Sequence, residues 1–145
     1  MRCPRDFQRS RMYKWENENV PQGAWIYFND IEAYVKQVWA AEGLLYPPLV
    51  QIIRARGAAA GDATRNTLRF PEEGASEAVI LHEIAHAMTA NVHEESDAHG
   101  PTFTGVFIDL VAKHMNVSKI MLWHTAQKAG VKFDMFAKPT LGNVE

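Results

Sequence analysis

Two histidines four residues apart, with a glutamate directly after the first, stand at His82-Glu83-Ile84-Ala85-His86. On a helix, four residues turn through about 400°, so both imidazoles leave one face a single turn apart. That separation lets both rings reach one zinc ion at about 2.0–2.1 Å each. Glu83 is displaced around the helix, close enough to accept a proton from water at the ion but badly placed to ligate it. The neighbouring residues agree with a helix. Leu81, Ile84, Ala85 and Met88 form an apolar stripe on other positions, Ser76 suits an N-cap, and the pattern runs to about Ala90. The His-Glu-His side therefore faces away from the stripe, into a site or into solvent.

A catalytic zinc usually has three protein ligands and one open position. The metzincin extension would need Gly and His where Thr89 and Val92 stand, which excludes that class. His93, on a continued helix, would lie about 10 Å further along the axis from the pair, too far to share an ion. His99 is the expected third ligand: it follows a polar, irregular stretch and directly precedes Gly100-Pro101, where a new helix can start. Glu94, Glu95 and Asp97 are its rivals, because two histidines and a carboxylate also make a catalytic zinc site.

The rest of the chain is compatible with one domain, 1–145, large enough to bury a core. No apolar run reaches the roughly 20 residues that a membrane helix needs. Met1 to Ser10 lacks the apolar stretch of a secretory signal. Cys3 is the only cysteine, which excludes an intramolecular disulfide and a cysteine-based zinc ribbon and fits a reducing, cytoplasmic setting. A net charge of −2 gives no global attraction to nucleic acid. Charge is uneven, however. Arg2, Arg5, Arg9, Arg11 and Lys14 make the start basic, and this arm reads as a solvated or strand-forming terminus before it reads as a nucleic-acid contact.

Ile31, Tyr34, Val35, Val38 and Trp39 lie on one helical stripe, so a helix is expected over Ile31–Glu42, with Asn29 and Glu32 as a capping box. Leu49–Ile53 and Thr67–Phe70 read as strands, and Trp25–Phe28 as a further one. Phe103, Val106, Phe107, Leu110 and Val111 predict a helix from Pro101. Ser118 can cap another that ends at Gly130. The order predicts an α+β fold, a small sheet packed against helices.

Arg5-Asp6-Phe7-Gln8-Arg9-Ser10, His82 to His86, and His99-Gly100-Pro101-Thr102-Phe103 occur in this order. In that respect the chain resembles uncharacterised metallohydrolases of actinobacteria and their phages, from Arg5 to about Val131. More distantly it resembles the SprT-like zinc proteases, although it lacks the cysteine-rich zinc module that several of them append. The resemblance implies a zincin-like fold, with the sheet against a helix carrying H-E-x-x-H, and it supports His99 as a ligand. It names no substrate.

The expected function is zinc-dependent hydrolysis of a peptide or protein, Zn2+ being held by His82, His86 and His99 with Glu83 as general base. A hydrogen-bond donor for the developing oxyanion is also expected, with Tyr13, Tyr27, Tyr34, Tyr46, His93 and His124 as candidates. Asp97 and Asp109 could orient a ligand imidazole. Thr67–Phe70 could serve as an edge on which an extended substrate pairs. Two other readings are a zinc-stabilised binding module without turnover and, from the SprT-like resemblance, a nucleic-acid-associated protease. The latter would use the basic arm with Arg54, Arg56, Arg65 and Arg69. His114, on the stripe of the third expected helix, reads as a packed or helix-end residue, and the four tryptophans read as core or partly buried anchors.

Overall fold

In the computed structural model, which describes residues 6–54, 60–90 and 96–140, the chain runs α1 (Arg9–Asn19), β1 (Trp25–Ile26), α2 (Phe28–Ala41), β2 (Leu49–Ile52) and β3 (Asp62–Ala63). It continues through β4 (Thr67–Phe70), β5 (Ala75–Ser76), α3 (Glu77–Thr89), α4 (Pro101–His114) and α5 (Lys119–Lys128). The fold is α+β, with five helices and two small sheets among the described residues. One sheet has the order β2-β4-β3, with β2 parallel and β3 antiparallel to β4. The other pairs β1 with β5. No helix of the described residues is long and apolar enough to cross a membrane.

Local sequence accounts for most of these elements. Ser76 caps α3 by accepting from the Val79 amide, and Ser118 caps α5 by accepting from the Met121 amide. Pro101 occupies the first turn of α4, where its missing N–H costs nothing. Leu68 and Phe70 turn one face of β4 into the core beneath α3. Ile80, Leu81, Ile84, Ala85 and Met88 of α3 are fully buried, so this helix is enclosed on more than one side. α4 runs against it. Gly105 makes close packing on α4 possible, since a Cβ there would sit 2.2 Å from the Asp134 carbonyl oxygen of the segment that follows α5.

Four expectations change. From residue 9 the basic start is a helix, not a strand or a loose arm: Arg9–Asn19 form α1, with Arg9, Arg11 and Lys14 exposed and Met12, Trp15 and Glu16 buried, while Arg2 and Arg5 lie outside the described residues. Trp15 packs edge-on to Phe107 and donates its indole N–H to Thr125. α2 begins at Phe28 after Tyr27, ahead of the expected start, so Asn29 and Glu32 lie inside it and form no capping box. Phe28 accordingly belongs to that helix, and β1 is only Trp25–Ile26. Trp25 is 55% exposed and is no core anchor, although its indole N–H donates to the Glu73 carbonyl. Finally, β4 is the middle strand of its sheet, with both edges paired, so no substrate can add to it.

Gln8 joins the start of the chain to its far end. Its side chain is buried, its amide donates to the carbonyls of His99 and Lys132, and its oxygen accepts from the Lys132 amide. Gln8→Ala would remove all three of these bonds, leaving the His99 carbonyl only the Thr104 hydroxyl as donor. Urea unfolding of the variant should show a loss of about 2–4 kcal/mol.

Candidate metal centre

Two elements supply the site's histidines. α3 projects His82 and His86 one turn apart, with Glu83 between them around the helix. His99 comes from the turn before α4. Ala98 there has a left-handed backbone, φ 55°, and Ser96 steadies it by accepting from the Ala98 amide. That reversal returns His99 over α3. Asp97 then accepts from the amides of Thr102 and Phe103, closing the open end of α4. Asp97 is thus neither a rival ligand nor a partner for an imidazole. Asp109, paired with Lys119, is not one either. His93, Glu94 and Glu95 lie outside the described residues.

Nε2 of His86 and Nε2 of His99 stand 3.1 Å apart, against the ~3.3 Å separation of two ligands on a tetrahedral ion with bonds of about 2.0–2.1 Å. One nitrogen from each of His82, His86 and His99 falls within a group spanning 4.8 Å, so modest ring rotations bring all three to one centre. The remaining ring nitrogens fix the tautomers. His82 donates Nδ1–H to Glu16 at 3.0 Å, and His99 donates Nδ1–H to Asp6 at 2.7 Å. Both rings are therefore left with an Nε2 lone pair directed inward. Three imidazoles of this kind, two of them held by carboxylates, form a candidate donor set for a divalent metal that accepts imidazole.

Asp6 and Glu16 are the functional residues that the sequence reading missed. Asp6 belongs to the segment read as a basic arm, and Glu16 lies two residues beyond it. A signal was present for Glu16, which lies four residues after Met12 on the buried face of α1.

Aromatic rings hold the imidazoles from the other side. Phe103 stacks on His86 at a centroid distance of 4.2 Å, and both Phe103 and Phe107 meet His82 edge-on. No family model, curated protein or solved structure matches this chain. The arrangement of the residues themselves is thus the ground for a functional reading.

Electrostatics separate the three imidazoles. Burial lowers the His86 pKa well below its ordinary value, aided by the charges of His82 and His99, so this ring stays neutral. Burial also lowers His99, outweighing Asp6. For His82, burial pulls the pKa down, but the hydrogen bond and charge of Glu16, with help from Glu83, prevail and raise it. Because the hydrogen bond from His82 to Glu16 fixes the ring and its tautomer, Glu16→Gln should weaken zinc binding by about 10–100-fold in a competition titration against a chromophoric chelator.

Glu83 is pushed up to about 7, chiefly by burial, with Asp62 and Glu16 adding to the shift and His82 opposing it. A carboxyl whose folded pKa is raised favours the fold at low pH, and that contribution fades as pH rises from 4.5 through 7. In metal-free protein the ionised, buried Glu83 is hence a burden at alkaline pH. Metal-free Glu83→Gln should be more stable than metal-free wild type at pH 8 by on the order of 2–3 kcal/mol, and the difference should vanish near pH 4.5. Parallel urea titrations at the two pH values measure this.

Two cavities flank Glu83. One, of about 300 Å³, is bordered by Tyr13, Glu16, Val79, His82 and Gly61. The other, of about 520 Å³, is bordered by Arg9, Tyr13, Asp62, Thr64 and His86. Gly61 contributes to both, and a Cβ on it would lie 3.0 Å from the Phe70 ring and 3.2 Å from Glu83 Cγ. The absent side chain lets the approach to β3 run close over the carboxylate.

Proposed function

We propose that the chain is a zinc-dependent hydrolase acting on peptide bonds, with a zincin-like arrangement in which α3 carries the reactive face. The observation that carries this reading is the convergence of three imidazoles beside one buried, unusually basic carboxylate, at the junction of two cavities. A zinc ion held by His82, His86 and His99 supplies Lewis acidity, polarising a carbonyl and acidifying water. Glu83 takes the proton from the attacking water and passes it to the leaving nitrogen. Its raised pKa suits a group that must both accept and release a proton near neutrality. Glu16 and Asp6 keep the ligand rings in the required tautomers.

Among the described residues, the unpaired edge of the three-stranded sheet beside this site is β3, which borders the larger cavity through Asp62 and Ala63. An extended peptide adding there would pass Glu83 and His86, which supports a polypeptide substrate. The nucleic-acid reading gains less, since Arg69 is engaged by Asp62 across the β3–β4 pair.

Incubation of zinc-loaded protein with denatured casein, followed by mass spectrometry, tests the proposal. Cleavage that stops with 1,10-phenanthroline and resumes on adding zinc is expected. Intact casein under every condition would count against peptide hydrolysis and favour a zinc-stabilised binding module.

A further inference from the structure

Of the four tyrosines, Tyr27 and Tyr46 are 69% and 88% exposed and line cavities away from the histidines. Tyr34 donates its hydroxyl to Glu77. Tyr13 is different. Its ring stacks parallel to His82 at 5.7 Å and lies 4.9 Å from His99, and it borders both cavities together with Glu83. Helix spacing explains the placement. Arg9, Tyr13 and Glu16 follow at i, i+4 and i+7 along α1, so one face of that helix presents all three towards α3. The Glu16 of this face grips His82, which fixes the register of α1 over the site. The guanidinium of Arg9 stands 5.6 Å from the Tyr13 ring centroid.

Hydrolysis of an amide places negative charge on the carbonyl oxygen as the new C–O bond forms, and a prearranged donor at that oxygen contributes more than in water. Neither Asp6 nor Glu16 can donate there, because both are acceptors committed to ligand rings. A phenol keeps its proton at neutral pH, so a tyrosine hydroxyl at the edge of both cavities is a hydrogen-bond donor.

We infer that Tyr13 is a further catalytic residue, whose hydroxyl donates a hydrogen bond to the oxygen that becomes negative when the scissile carbonyl is attacked. The inference rests on the hydrolase reading and adds a residue to it. The balance is simple. The water oxygen bonds to carbon, the carbonyl π pair moves onto its oxygen, and Tyr13 stabilises that charge without giving up its proton. Collapse returns the pair to the carbonyl and breaks the C–N bond, and the nitrogen receives the proton held by Glu83.

The test is Tyr13→Phe, which preserves the ring and its stacking. Zinc content and urea midpoint should match wild type, while casein turnover falls by about 10²–10³-fold with little change in KM. A second readout needs no turnover. In cobalt(II)-substituted protein, visible-spectrum titrations compare methylphosphonate, a tetrahedral oxyanion, with azide, which lacks oxygen. Tyr13→Phe should weaken methylphosphonate by about tenfold or more, as expected for a hydrogen bond to a charged group, and leave azide within about twofold. Equal weakening of both anions, or none of either, overturns the role of Tyr13 and leaves the hydrolase reading standing. If wild type binds neither anion, no coordination position is open, and both inferences fall together.

Discussion

Glu83→Gln should abolish casein cleavage, with turnover falling by about 10³-fold or more, while the protein keeps its zinc. General-base catalysis alone is commonly worth about 10²–10⁴-fold. Gln has the shape of Glu but cannot take a proton, and Glu83 is not among the three residues whose ring nitrogens converge. Metal uptake should thus be unchanged within about twofold, as read by chelator competition. Stability moves the other way, because the variant removes a buried group whose ionisation is resisted. Lost turnover combined with a firmer metal-free fold is the mark of a residue kept for chemistry at the expense of packing. A variant that cleaves casein as wild type does would remove Glu83 from the mechanism.

Removing the metal should have the second large effect. His82, His86 and His99 come from α3 and from the turn before α4, and Asp6 and Glu16 tie them to the start of the chain. A ligand that binds only the folded state stabilises it by about 4 kcal/mol when present at a thousand times its Kd. Zinc-loaded protein should accordingly unfold several degrees above the chelator-treated form, and readdition should restore the higher midpoint. His99→Ala should show the low midpoint with or without zinc. Identical midpoints for loaded and stripped wild type would argue against a bound ion that couples these segments.

The parts of the fold legible in the sequence are those where one local rule decides. Ser76 and Ser118 cap the helices expected of them, and Pro101 opens α4. Leu68 and Phe70 face the core as their alternation predicts. α1 was hidden for a physical reason. Its buried face is Met12, Trp15 and Glu16, so a carboxylate stands where an apolar residue would have completed the stripe. That carboxylate is buried against His82, and a polar residue at this position hides the helix that supplies it. The sheet order was hidden for another reason. β3 is two residues long, too short for any periodicity, and its pairing with β4 is what turns Thr67–Phe70 from an edge into a centre.

For the site, His82, Glu83 and His86 were legible because helix geometry fixes their relation. The turn at Ala98 brings His99 to them, as expected from its place before Gly100-Pro101. The carboxylates holding the rings were not, since nothing in local spacing tells that Asp6 will reach residue 99 or Glu16 residue 82. His114 keeps its plain role beside Glu42 at the end of α4.

Metal content bears most directly on the whole interpretation. Wild type and His99→Ala, purified in parallel, equilibrated with zinc and freed of excess, should be analysed by plasma mass spectrometry against protein concentration. About one zinc per chain in wild type and well under a tenth of that in His99→Ala is the expected outcome, since a three-ligand site that loses one imidazole loses most of its affinity. Wild type without stoichiometric metal, or His99→Ala retaining it in full, would contradict a centre built from these three histidines.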